Sequence, residues 1–77
     1  MAESSITSEV TGKVWKILAA AGSRVEQGDT VLIVESMKME IPVEAHAAGI
    51  VDQILVNEGD DIAEGQKVVF LQLDTAV

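Results

Sequence analysis

The sequence contains no cysteine, which removes two common ways of holding a small domain together. Without a thiol, the chain has neither a disulfide nor a thiolate metal site. It has a single histidine, His46, so a metal site built from several histidines is excluded as well. The 77 residues suffice for one domain and are too few for two. That domain therefore has to be stabilised by apolar packing.

Aromatic and basic residues are also scarce. Trp15 and Phe70 make up the 3% of aromatic residues, whereas hydrophobic residues of all types make up 48% of the chain. The core is therefore expected to consist mainly of Val, Ile, Leu and Ala. Five Lys and Arg residues stand against thirteen Asp and Glu, giving a formal net charge of −8. Because phosphate backbones are bound by Lys and Arg, this balance argues against nucleic-acid binding.

Long apolar runs are missing too. No stretch approaches the roughly 20 apolar residues that a membrane-spanning helix requires, and the first residues lack the basic cluster and apolar run of a signal peptide. The composition predicts a soluble, acidic, cytoplasmic protein without membrane contacts. We also expect the protein to be a monomer in isolation.

The chain does contain an internal repeat at an offset of 37 residues. Since glycine marks turns and close backbone approaches, glycines that recur in register indicate shared turns. The identical pairs are Gly12 and Gly49, Val14 and Val51, Ile17 and Ile54, Leu18 and Leu55, Gly22 and Gly59, Gly28 and Gly65, and Val31 and Val68.

Each copy of the repeat has the composition of a β unit. Runs rich in Val, Ile and Leu alternate with closely spaced turn signals, the pattern of an all-β sandwich or barrel. Two copies predict quasi-twofold symmetry, with the halves packing face to face to form one core. The predicted strands are residues 13–19, 30–35, 40–45, 50–56 and 67–73, with short apolar steps at Val25 and Ile62.

Residues 36–46 lie between the copies and have no match in the repeat. A tight β-hairpin there would expose Lys38 between Met37 and Met39, although the Asn-Gly usual for such a turn is absent. A lysine amine is a suitable nucleophile for attachment of a group through an amide, and methionines offer an adaptable apolar surface. By composition alone, a solvated turn lysine beside two core-filling methionines is the simpler interpretation. The position at the junction of two copies favours a functional site.

The segment Glu35-Ser36-Met37-Lys38-Met39-Glu40 resembles the biotin attachment motif of biotinyl domains. Around it, residues 10–73 resemble the biotin carboxyl carrier family, in particular its short stand-alone biotin/lipoyl attachment proteins. The resemblance implies a flattened barrel-sandwich hybrid of two four-stranded antiparallel sheets. Residues 1–9 would form a partly flexible N-terminal segment and residues 74–77 a C-terminal tail.

The resemblance also implies a carrier and not an enzyme. A biotin protein ligase would join biotin covalently to Lys38, and the biotin would carry a carboxyl group between a biotin carboxylase and a carboxyltransferase. Met37 and Met39 would mark the site for the ligase, with help from Glu35 and Glu40. Some family members have an extra loop that touches biotin. The two halves here align without a gap, so this loop is expected to be absent and contacts between biotin and the domain to be weak.

Three alternatives remain open at this point. A lipoyl carrier would have the same fold, but such domains typically have Asp before the lysine and a small residue after it. An unmodified structural module would leave Lys38 free. A biotinylated protein could also act as a binding or regulatory module outside any carboxylase. Elsewhere, Trp15 is interpreted as a partly buried strand residue, with a partner contact as the alternative.

Overall fold

The computed structural model describes residues 3–73, which form eight strands in two sheets. The strands are β1 (Glu3–Thr7), β2 (Gly12–Ile17), β3 (Arg24–Val25), β4 (Thr30–Ser36), β5 (Met39–Glu44), β6 (Gly49–Ile54), β7 (Asp61–Ile62) and β8 (Lys67–Leu73). The hairpin sheet, named for its β4–β5 hairpin, has the order β5-β4-β2-β7, and the terminal sheet has the order β1-β8-β6-β3. All pairs are antiparallel, which confirms the predicted fold class.

The predicted strands agree with the observed ones to within two residues. The largest error is at the ends of β2 and β6, which were predicted to continue to residues 19 and 56. At the end of β2, the backbone N–H groups of Leu18 and Ala19 both donate to the carbonyl of Val31, at 2.9 and 3.1 Å. Two successive amides converging on one carbonyl cannot continue a regular ladder, so the strand ends at Ile17.

Strand β1 is not predicted by the sequence pattern, and it lies outside residues 10–73, the range assigned to the carrier domain. This strand pairs with β8, and its Ile6 is only 3% exposed. Residues 3–7 lie 37 positions before residues 40–44, so β1 is the counterpart of β5, and Ile6 corresponds to Val43. The conclusion that residues 36–46 have no counterpart is therefore wrong for β5. The predicted tail, residues 74–77, lies outside the described residues.

The 37-residue offset relates β1–β4 to β5–β8 and exchanges the two sheets. Each sheet takes two strands from either half, so the halves interlock, which corrects the expectation that they pack face to face. The turns interlock as well. The N–H of Gly22 donates to the carbonyl of Val51, and the N–H of Gly59 donates to the carbonyl of Val14, both at 2.7 Å.

A single core lies between the sheets. As the composition predicted, its buried apolar side chains are aliphatic, and the shared core explains how a small chain without disulfides can be stable. The domain measures 43 × 19 × 18 Å. The buried residues are Ile6, Val14, Val25, Val31, Leu32, Val34, Val43, Ala45, Val51, Val56, Ile62, Val68, Val69 and Leu71.

Candidate modification site

A two-residue turn, Met37-Lys38, joins β4 to β5. The ladder continues to its base, where Ser36 lies opposite Met39. Both turn residues have positive φ, 52° for Met37 and 66° for Lys38, as a type I′ hairpin turn requires. The predicted tight hairpin with Lys38 at its tip is confirmed.

This turn conformation is unfavourable for the residues that adopt it. Met37 and Lys38 are the two non-glycine residues with positive φ in the described part of the chain. Holding a residue that has a Cβ at positive φ costs roughly 1–3 kcal/mol, and Asn or Gly at these positions would reduce that cost. The β4–β5 ladder imposes the conformation. Turn stability therefore does not account for a methionine and a lysine here, and such an outlier points to function.

The side chains at the tip point into solvent. Met37 is 92% exposed, Met39 is 64% exposed, and Lys38 is exposed too. The two methionines are therefore not core filler, which removes the simpler interpretation of the motif. Among the described residues, Lys38 forms no ion pair. Its amine is free to be approached by another protein, with an apolar group on either side.

Two acidic residues stand at the base of the hairpin. Glu35 on β4 lies directly opposite Glu40 on β5, and both side chains are exposed. Directly opposed residues share a face of the sheet, and like charges in this position destabilise the pair. Lys13 on β2 lies next to Glu35 in the same row. Two acidic side chains therefore lie side by side at the base of the hairpin, an arrangement that strand pairing does not require.

Ser36 fastens the base of the hairpin to the rest of the domain. Its hydroxyl donates to the carbonyl of Thr11 at 2.9 Å, in the loop between β1 and β2. The hydroxyl of Thr11 in turn accepts from the N–H of Glu64 at 3.1 Å. This contact explains how serine is accommodated at position 36, where members of the biotin carboxyl carrier family often have alanine. The sequence pattern does not single out Thr11, whose only distinguishing signal is its place before Gly12.

Replacing Ser36 with Ala is expected to lower the free energy of unfolding by about 1 kcal/mol, because one side-chain hydrogen bond is lost. The midpoint of urea unfolding, followed by circular dichroism, measures the change. Ser36→Thr keeps the hydroxyl and is the matched control, with an expected midpoint near that of the wild type. A Ser36→Ala protein as stable as the wild type would show that the bond to Thr11 contributes nothing.

Two other residues considered from the sequence lie away from the tip. Trp15, on β2, is 47% exposed, so about half of the side chain is accessible. His46 is exposed just after β5, and its Nε2 lies 2.9 Å from the hydroxyl oxygen of Ser4. Residues 3–73 contain no group of three or more acidic or histidine side chains placed to hold a metal ion. The same residues include no helix of the length and apolarity needed to cross a membrane.

The sequence matches a known protein family over nearly its whole length. The family model described as "Biotin-requiring enzyme" (biotin/lipoyl) matches residues 1–71. The chain belongs to this family. It is 39% identical over 71 residues to the biotin/lipoyl attachment protein of Bacillus subtilis, covering 92% of this chain and 97% of that protein. It is 38% identical over 71 residues to the biotinylated protein TB7.3 homolog of Mycobacterium leprae, covering 92% and 99% respectively.

Larger proteins contain a similar segment. The crystal structure of the Kluyveromyces lactis urea carboxylase matches with a TM-score of 0.88 and 40% identity, covering 94% of this chain. The matched segment is only 6% of that carboxylase. The chain is thus a biotin carrier domain and not a catalytic one, and domains like it occur both as small proteins and within carboxylases.

Proposed function

We propose that Lys38 is the residue that carries biotin, and that the loaded domain transfers a carboxyl group from a biotin carboxylase to a carboxyltransferase. The observation that carries this proposal is the left-handed Met37-Lys38 turn, which presents an exposed lysine between two exposed methionines. A primary amine without an ion pair in the described structure fits the chemistry of the attached group, because the carboxyl group of biotin forms an amide with it. When bound, biotin supplies the ureido nitrogen on which the carboxyl group is carried.

The residues of the hairpin have separate roles in loading. A biotin protein ligase removes a proton from the Lys38 ammonium group, and the amine then displaces AMP from activated biotin to form the amide. Met37 and Met39 provide apolar contacts for the ligase. Glu35 and Glu40 add a negative charge that basic groups on the ligase can recognise. The catalytic groups belong to the ligase, so Lys38 is an acceptor.

Once loaded, the domain contributes by tethering. The hairpin exposes Lys38 to solvent on a domain whose longest dimension is 43 Å. A group attached there is held near a partner's active site at an effective concentration of roughly millimolar, without being released between steps. The net charge of −8 keeps a small carrier soluble. We also propose that the protein is cytoplasmic and monomeric in isolation.

Lipoate is the closest rival, since the matching family includes both biotin and lipoyl attachment. Met37 and Met39 favour biotin, because lipoyl domains typically have Asp and a small residue on either side of the lysine. The other rivals are an unmodified module and a biotinylated regulatory module. They differ in whether Lys38 is modified and whether the attached biotin is used for carboxyl transfer.

Co-expression with a bacterial biotin protein ligase in the presence of biotin tests the proposal. The intact mass of the wild type should rise by one biotinyl group, whereas Lys38→Arg should keep the unmodified mass. A parallel expression with a lipoyl ligase should add nothing. An unchanged wild-type mass, or a mass increase that persists in Lys38→Arg, would rule out Lys38 as the attachment site. Carboxylation of the loaded protein by a biotin carboxylase with ATP and bicarbonate separates a carrier from a regulatory module.

A further inference from the structure

Trp15 belongs to an outward-facing apolar surface on the hairpin sheet. It occupies a β-bulge between Val14, which pairs with Val34, and Lys16, which pairs with Ile33. Val14 is 1% exposed and faces the core, whereas Trp15 is 47% exposed. Three adjacent strands contribute to this surface, because Ile33 pairs with Pro42 on the other side.

Two lysines border this surface. The Nζ atom of Lys16 lies 5.8 Å from the centre of the Trp15 ring, and Lys13 is exposed two residues earlier on β2. Together with Trp15, Ile33 and Pro42, they form what we call the Trp15 platform. In a chain with only five Lys and Arg residues and a net charge of −8, two cations beside a tryptophan are a distinct local environment.

The internal symmetry shows that the fold does not require the platform. Trp15 corresponds to Asp52, which lies in the equivalent bulge of β6, between Val51 and Gln53. The buried positions of the two strands match, but Lys13 and Lys16 correspond to Ile50 and Gln53. The same bulge therefore forms with an aspartate in it. Tryptophan and the two lysines occur only on the sheet that carries the Lys38 hairpin.

The platform is within reach of a group attached to Lys38. Trp15 lies beside residues 33 and 34 of β4, and at about 3.3 Å per residue it is on the order of 15 Å from the tip along the sheet. A lysine joined to biotin has eleven bonds between Cα and the ring system, which extend to about 14 Å. The two lengths match when the arm lies along the outer face of the hairpin sheet.

We infer that the biotin ring system attached to Lys38 rests on the Trp15 platform between its visits to partner enzymes. This inference depends on the proposed attachment at Lys38. The ring system is largely apolar and packs against the indole and Ile33, while its ureido carbonyl oxygen accepts a hydrogen bond from Lys13 or Lys16. At a tethered concentration of roughly millimolar, a weak and reversible contact is occupied for much of the time. A partner enzyme can still withdraw the arm.

Trp15 is the only tryptophan in the chain, so its fluorescence reports on the platform directly. Unmodified and biotinylated protein are prepared, their masses are verified, and quenching of the emission by acrylamide is measured. Biotinylation should lower the quenching constant about twofold, because a tethered ring that covers the indole for about half of the time blocks acrylamide during that time. If the quenching constant is unchanged in protein whose biotinylation has been verified, biotin does not rest on the platform, but attachment at Lys38 still stands. If the mass shows no biotin, both the resting position and the attachment are contradicted.

The internal symmetry provides a matched control. Combining Trp15→Asp with Asp52→Trp moves the tryptophan to the equivalent bulge on the terminal sheet and changes no buried residue. Biotinylation should leave acrylamide quenching of this variant unchanged. Equal protection in both proteins would mean that the effect is not local to the platform and would also overturn the inference. In the wild type, a nuclear Overhauser effect between the biotin ring and the Trp15 indole is expected, and this measurement needs no variant.

Discussion

Exchanging Met37 and Lys38, by combining Met37→Lys with Lys38→Met, is expected to slow biotinylation by about 100-fold or more. The double variant keeps the composition and the two-residue turn, but the amine moves by one residue, about 3.8 Å between Cα atoms. Its direction also changes, because successive residues of the turn point differently. A ligase that binds the hairpin as a rigid surface would then hold the amine away from the activated carboxyl group.

The rate is measured as incorporation of labelled biotin with excess ligase, so that a single round of attachment is observed. The urea midpoint of the double variant should stay near that of the wild type, because both residues are exposed. The Lys38→Arg protein gives the background incorporation of label, and the Lys13→Arg protein should be biotinylated at the wild-type rate. A double variant loaded within tenfold of the wild-type rate would show that the ligase reads an unstructured peptide and not the geometry of the turn.

Replacing Gly12 or Gly49 with alanine is expected to lower the free energy of unfolding by about 3 kcal/mol, because each glycine lets two strands approach closely. A Cβ on Gly12 would overlap the carbonyl oxygen of Glu35 and lie 2.9 Å from a methyl group of Val34. A Cβ on Gly49 would overlap the carbonyl oxygen of Gln72. The overlapped atoms belong to the backbone of paired strands, so the clash with the new Cβ is removed only if the strands move apart. A loss of this size is a large fraction of the stability of a small domain.

The two variants should differ in function. Glu35 lies at the base of the hairpin, so Gly12→Ala should also reduce the biotinylation rate of the folded protein. Gly49→Ala disturbs the terminal sheet and should not. Gly22→Ala serves as a control, because its Cβ would meet nothing within 4 Å and only its positive φ of 91° opposes the change, at a cost of roughly 1–2 kcal/mol. If the Gly12→Ala and Gly49→Ala proteins are as stable as the Gly22→Ala protein, the close approach of the paired strands at Gly12 and Gly49 is contradicted.

The location of the hairpin was predictable, whereas the conformation of its turn was not. The repeat shows where the first set of matched strands ends, near Glu35, and therefore where a connection must begin. Local preference argues against a type I′ turn at Met37-Lys38, since neither residue favours positive φ. The pairing of β4 with β5 imposes that conformation, and this pairing is a property of the folded domain.

The missed strand has a related explanation. Within the 37-residue offset, Glu3–Thr7 and residues 40–44 share little beyond Glu3 with Glu40 and the buried pair Ile6 and Val43. Both strands lie at sheet edges, where few positions are buried and few residues are constrained. An edge strand therefore leaves a weak pattern in the sequence. Only the pairing of β1 with β8 identifies it.

The repeat contains a signal for the outward orientation of Trp15. Its counterpart in the repeat is Asp52, and a position that holds tryptophan in one copy and aspartate in the other faces outward in both. The sequence does not show which neighbours share that face. Placing Ile33 and Pro42 beside Trp15 requires the register of β2, β4 and β5.

The amino-acid sequence by itself determined the all-β class, the aliphatic core, the repeat and the location of Lys38, because these depend on composition and on short-range periodicity. The tertiary structure alone decided that the halves interlock across both sheets, that Met37 and Met39 are exposed, and that Trp15 lies on the sheet of the hairpin. An alternating strand pattern specifies two faces but not the partner strand. That choice depends on contacts between residues far apart in the chain, which exist only once the whole core has assembled.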